Sequence, residues 1–114
     1  MGTLRTLKIS GRNYTAGQGY LDPVTAFLED FEPGRGQLTV VCWGRPWSYF
    51  WGAMGPSTDL RTFLLGADTD YIVGKLSIPR GVLLRSVEKI EERWLEQITL
   101  ALKDELRKPQ EIAA

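Results

Sequence analysis

Hydrophobic and polar positions change their period along the chain, and the period names the elements. In "TLRTLKISG" they alternate, with Leu4, Thr6 and Lys8 on one side and Arg5, Leu7 and Ile9 on the other. This period of two predicts a strand over residues 4 to 10, closed by Gly11. After the polar, glycine-rich "RNYTAGQGY", the stretch "DPVTAFLEDFEPGRG" spaces Val24, Phe27, Leu28 and Phe31 at i, i+3, i+4 and i+7. With Asp22 as N-cap, Pro23 at the first helical position and Pro33-Gly34 as a stop, it predicts a short core-facing helix over 23 to 31.

Residues 37 to 52 read as an aromatic hairpin, because "QLTVVCW" and "WSYFW" are rich in β-branched and aromatic side chains. Only Gly44-Arg45-Pro46 separates them, which predicts a three-residue loop with Trp43 opposite Trp47, Val41 opposite Tyr49 and Thr39 opposite Trp51. Trp43, Val41, Trp47, Tyr49 and Trp51 then share one face, and Leu38, Val40, Cys42 and Phe50 the other. Both faces are apolar, so one packs on the core and part of the aromatic face is expected to meet solvent or a partner.

Two short helices are expected next, over 58 to 65 with Ser57 or Thr58 as cap, and over 69 to 76 with Tyr71, Ile72 and Leu76 on one face. From 80 to 107, Leu83, Leu84, Val87, Ile90, Trp94, Leu95, Ile98, Leu102 and Leu106 recur at three and four residues, ahead of Pro109. This long amphipathic helix, on the order of 40 Å, exceeds the diameter expected of so small a domain. Its last turns are therefore expected to overhang, making Ile98, Leu102 and Leu106 candidates for self-association as a homodimer. The elements add up to an α+β domain over 1 to 108, a small mostly antiparallel sheet with helices, followed by a frayed tail over 109 to 114.

Composition narrows the chemistry. The 114 residues are 43% hydrophobic and 25% charged, as in an ordinary folded domain. No apolar run approaches the roughly 20 residues that span a bilayer, and the expectation is a cytoplasmic protein. A single cysteine, Cys42, forms no internal disulfide and reads as a small buried hydrophobe. Histidine is absent, which removes Ser-His-Asp and Cys-His nucleophilic systems and the usual zinc and iron sites. The clustered acids are Asp68 with Asp70, and Glu29, Asp30 and Glu32. Such pairs could share a divalent ion, but they suit helix caps and solvated surface better. The expectation is a protein without enzymatic activity, metal or cofactor.

Two binding functions stay open. Arg45, Trp47 and Tyr49, close together at a turn, have the composition of a protein-interface hot spot and are the partner-binding candidates. Alternatively Trp47, Tyr49 and Phe50 stack the bases of a single strand while Arg12, Arg35 and Arg45 hold phosphates. Fourteen basic residues balanced by fourteen acidic ones count against the second, because strand binders usually carry a basic excess.

"WSYFWGAMG", followed by "FLLGADTDYIVGKL", resembles a family of small proteins encoded by tailed phages and prophages. They carry an aromatic strand ending in Trp-Gly-x-Met-Gly and a later Asp-Tyr-x-x-x-Lys-Leu; the likeness covers about residues 37 to 76. It implies a setting in the cytoplasm of a host cell. There a protein of this kind would bind a host protein, inhibiting or modulating a defence or nucleic-acid-processing complex.

Overall fold

A computed structural model describes residues 2–16, 19–77 and 85–109. Four strands, β1 (Thr3–Ile9), β4 (Val24–Glu32), β5 (Arg35–Cys42) and β6 (Arg45–Trp51), form an antiparallel sheet in the order β1-β4-β5-β6. Between β1 and β4 a two-stranded ladder, β2 (Thr15–Ala16) with β3 (Gly19–Tyr20), stands apart. Three helices follow: α1 (Leu60–Gly66), α2 (Thr69–Leu76) and α3 (Arg85–Arg107). The α+β class expected from the hydrophobic periods is the observed one.

The inner face of the sheet carries Ile9, Val24, Ala26, Leu28, Leu38, Val40, Cys42, Trp47 and Trp51, all buried. Against it pack Leu60 and Leu64 of α1, Ile72 and Leu76 of α2, and Leu95, Ile98, Leu102 and Leu106 of α3. The opposite face holds Leu4, Thr6, Lys8, Phe27, Gln37, Thr39, Ser48 and Phe50, half-buried or exposed. Helices cover one side of the sheet, as an antiparallel sheet allows.

Residues 23 to 31 correct the expected helix. Val24–Glu32 is a central strand, paired with β1 from Ile9↔Val24 to Thr3↔Asp30 and with β5 from Thr25↔Val41 to Glu32↔Arg35. The same letters hold a second pattern, Val24, Ala26 and Leu28 at a period of two, and those three are buried while Phe31 is exposed. From Thr25 to Asp30 the segment pairs on both edges, with a register shift between Asp30 and Glu32, and this two-sided ladder satisfies more of its backbone than a nine-residue helix with one apolar stripe would. Pro33-Gly34 is a turn between strands. Gly34 has φ 86°, and a Cβ there would sit 2.5 Å from the Gly55 carbonyl oxygen. That close approach lets Gly34 N–H donate to the Thr58 carbonyl and Met54 N–H donate to the Gly34 carbonyl, at 3.0 and 2.8 Å.

Helix α1 is capped by Asp59, whose Oδ1 accepts from Thr62 N–H at 2.8 Å, in place of the expected Ser57 or Thr58. Hydrogen bonds from the Thr62 side chain and backbone hold the Asp59 carboxyl below its usual range. Asp30 adds a second acceptor, to Leu60 N–H at 2.8 Å, so this member of the acidic cluster secures the start of α1 from the neighbouring strand. Helix α2 has the expected bounds and buries Ile72, Val73 and Leu76, while Tyr71 is exposed. Asp68 stands at its N-cap position without a side-chain cap bond.

Helix α3 does not overhang at its C-terminal end. Ile98, Leu102 and Leu106 are 0%, 1% and 1% exposed, so the surface expected of them for self-association is absent. The reason is that α1 and α2 pack on this half: Arg61 Nε donates to the Leu106 carbonyl at 3.0 Å, and Lys103 Nζ donates to the carbonyl of Ala67 at the end of α1. The apolar side chains of α3 that meet solvent are Val87 and Ile90 near its start and Leu100 on the side away from the sheet. Leu83, Leu84 and the tail beyond Pro109 lie outside the described residues.

Candidate functional site: the hairpin turn on helix α3

The aromatic hairpin turns one residue earlier than expected. Cys42 pairs with Arg45, Val40 with Trp47, Leu38 with Tyr49 and Gly36 with Trp51, leaving Trp43-Gly44 as a two-residue turn. Both turn residues have positive φ, 55° at Trp43 and 72° at Gly44. That is the backbone a two-residue hairpin needs to match the right-handed twist of its strands, usually met by Asn-Gly. The shift reassigns the faces. Trp47, Tyr49 and Trp51 point inward with Leu38, Val40 and Cys42, and Phe50 points outward. Trp47, expected among the partner-binding residues, is 4% exposed, and Trp43 in the turn is 36% exposed.

Around this turn the hairpin meets α3. The Trp43 and Trp94 rings lie 4.9 Å apart at 50°. The Arg45 guanidinium sits over two rings, 5.3 Å from Trp47 and 5.6 Å from Trp94. Glu91, one helical turn before Trp94, reaches under them: its Oε1 accepts from Trp47 Nε1 at 2.6 Å and its Oε2 from Arg45 Nη2 at 3.3 Å. Arg45 and Glu91, 46 residues apart, thus form an ion pair with one end in the core and one in water.

Beyond Trp43 and Trp94 opens a cleft of about 650 Å³, with Ile90, Arg93 and Gln97 of α3 along one side. Thr15 supplies the far wall, and its N–H donates to Gln97 Oε1 at 3.3 Å. The Tyr14 hydroxyl donates to Asp104, and burial, with that carboxylate beside it, pushes the Tyr14 phenol up to about 12. The cleft is therefore walled by exposed tryptophan and isoleucine, with one arginine, the carboxylate of Glu96 and a glutamine held in place. No sequence signal singled out Trp43, Ile90, Arg93 or Gln97 as neighbours, because the cleft joins segments about 50 residues apart.

Of the expected partner-binding residues, Arg45 borders this cluster, Trp47 supports it from inside, and Tyr49 belongs elsewhere. Tyr49 lies 4.9 Å from Trp51 and under Lys75 at 5.4 Å, in a row that continues through Phe63 to Tyr71. Trp51 Nε1 donates to the Tyr71 hydroxyl at 3.1 Å, and Met54 and Leu76 are buried close to the same core. The two stretches that carry the phage resemblance thus meet here, binding β6 to α1 and α2. Trp47, Tyr49 and Phe50 do not share a face and cannot form the stacking platform expected of a strand binder. Among the described residues no cluster of three His, Cys, Asp or Glu could hold a metal ion, and no helix is long and apolar enough to cross a membrane.

A family model described as a phage family matches residues 2–98. Neither a curated protein nor a solved structure matches the chain. The match covers most of the sequence, and the chain belongs to this phage family.

Proposed function

We propose that this phage-family protein is a non-enzymatic accessory protein that binds a host protein in the host cytoplasm through the cleft beside the Trp43-Gly44 turn. The bound factor belongs to a host defence or nucleic-acid-processing complex, which the protein inhibits or modulates. One observation carries the reading: an exposed tryptophan is held at φ 55°, where bulky residues rarely sit, with its ring against Trp94, over which Arg45 lies. Strained, exposed aromatic residues cluster at binding sites. Tryptophan and arginine also dominate interface energetics, and rings already fixed by an ion pair lose little freedom on docking. Membership of a phage family supplies the setting in which such a surface meets a host factor.

The test is affinity capture from the native host followed by mass spectrometry, comparing wild type with a Trp43→Gly, Arg93→Glu variant whose circular dichroism and melting are unchanged. Glycine adopts the positive φ of position 43 without strain, so the fold is expected to survive. The proposal expects the variant to lose a partner that wild type holds. If the folded variant keeps every partner, the cleft is not the interface.

A second reading, binding of a single nucleic-acid strand, has one observation in its favour. On the outer sheet face Phe31 and Phe50 lie 5.9 Å apart with the Arg35 guanidinium 5.6 Å from the Phe50 ring. Arg35 is already paired with Glu32 at 3.1 Å, and the balanced net charge gives no field to gather phosphates. A labelled oligonucleotide that shows no shift at about 50 mM salt removes this reading.

A further inference from the structure

The two edges of the sheet are unlike. Strand β6 carries Pro46, and α2 lies against it through Trp51–Tyr71 and Tyr49–Lys75. Strand β1 is seven residues long, has no proline or bulge, and among the described residues is paired with β4 alone. Among the described residues no strand pairs with its outward backbone groups, and Leu4 on its outer side is 63% exposed.

We propose that β1 pairs antiparallel with β1 of a second copy, about a two-fold axis through Thr6, joining two four-stranded sheets into one of eight. This does not rest on the cleft. Charge and facing select both partner and register. A two-fold axis through a residue keeps inner side chains with inner and outer with outer, whereas an axis between residues sets one face against the other. An axis at Arg5 or Lys8 opposes like charges directly, and one at Leu7 shortens the ladder and leaves Leu4 uncovered. At Thr6 all seven residues pair. Arg5 faces the partner's Leu7, and Leu4 faces the partner's Lys8. The aliphatic stem of that lysine would cover Leu4, and its ammonium, which within one copy donates to Thr25 Oγ1 at 3.4 Å, would turn towards Glu29, which flanks Leu4 on the other side in β4. The two copies of Arg5 fall on a diagonal, each within the field of its own Asp59.

Sedimentation equilibrium on the full chain tests this, at concentrations up to about 1 mM, where even millimolar affinity populates a dimer. Wild type is expected to dimerise. Leu4→Lys places two lysines opposite each other twice per dimer and is expected to leave a folded monomer, since Leu4 is mostly in solvent. Leu4→Lys with Lys8→Glu sets Lys against Glu and is expected to restore the dimer. A wild type that stays monomeric, a dimer indifferent to Leu4→Lys, or a double variant that stays monomeric each overturns the proposal.

Discussion

Glu91 Oε1 accepts a 2.6 Å hydrogen bond from Trp47 Nε1, joining α3 to β6 where both side chains are almost wholly buried. A carboxylate in that position is tolerable only because its other oxygen meets Arg45, whose side chain is 43% exposed and carries the pair out to water. The hairpin register follows from this bond: sliding Trp47 by one residue would turn the indole outward and leave Glu91 in the core with one partner fewer.

Trp47→Phe is therefore expected to cost about 2–3 kcal/mol, chiefly by orphaning a buried acceptor. Adding Glu91→Leu should recover roughly 1 kcal/mol or more, because it removes the orphan and frees Arg45 into solvent. Urea denaturation of the two single variants and the double closes the cycle. If the double variant is no more stable than Trp47→Phe alone, the carboxylate is not what makes the loss.

Trp43 should respond in the opposite way to its size. Left-handed backbone costs a non-glycine residue about 1–2 kcal/mol, and a ring pair contributes about 0.5–1.5 kcal/mol beyond its buried area. Trp43→Gly removes both, so its stability is expected within about 1 kcal/mol of wild type despite the loss of a tryptophan contact. Trp43→Val keeps the positive φ and adds branching at Cβ, and is expected to be the less stable of the two. Equal midpoints and slopes for Gly and Val in urea would show that the turn backbone carries no strain.

Periodicity made some of this legible and not the rest. Helix α2 and the amphipathic core of α3 followed directly, because Leu95, Ile98, Leu102 and Leu106 repeat over several turns with charges between. Val24–Glu32 misled because Val24, Phe27, Leu28 and Phe31 fit a helix while Val24, Ala26 and Leu28 fit a strand, and pairing with β1 and β5 decides between them. In the hairpin, Gly44-Arg45-Pro46 held the obvious turn residues, yet the turn begins at a tryptophan. The partner for its ring, Trp94, lies about 50 residues away, and no local rule could find it. Arg45, expected inside a three-residue loop, is the first residue of β6, paired with Cys42. Trp47 was misplaced because the register differs by three residues, Val41 facing Pro46 in place of Tyr49, and an odd shift exchanges the faces.

Cys42 gives the pH dependence. It is 1% exposed on the inner face of β5, its Sγ lies 3.5 Å from the Asp22 carbonyl, and burial pushes its thiol from 9.0 up to about 11. The raised value means that the fold favours the neutral thiol. The stabilisation is fully present below 9.0, where the unfolded thiol is also protonated, and is lost as pH rises towards about 11. Tyr14 acts in the same direction but only above its ordinary 10.0. Between these onsets the decline in stability from thiol ionisation belongs to Cys42, and over its whole range it amounts to on the order of 2 kcal/mol. Chemical denaturation at pH 8, 9 and 10 should show stability falling more steeply for wild type than for Cys42→Ala. In the native state at pH 8 a thiol reagent should label Cys42 no faster than the protein unfolds, because the reactive thiolate is both scarce and enclosed. Labelling within seconds of mixing, at the rate of a free thiol, would place Cys42 outside the core and undo the inner-face assignment of β5.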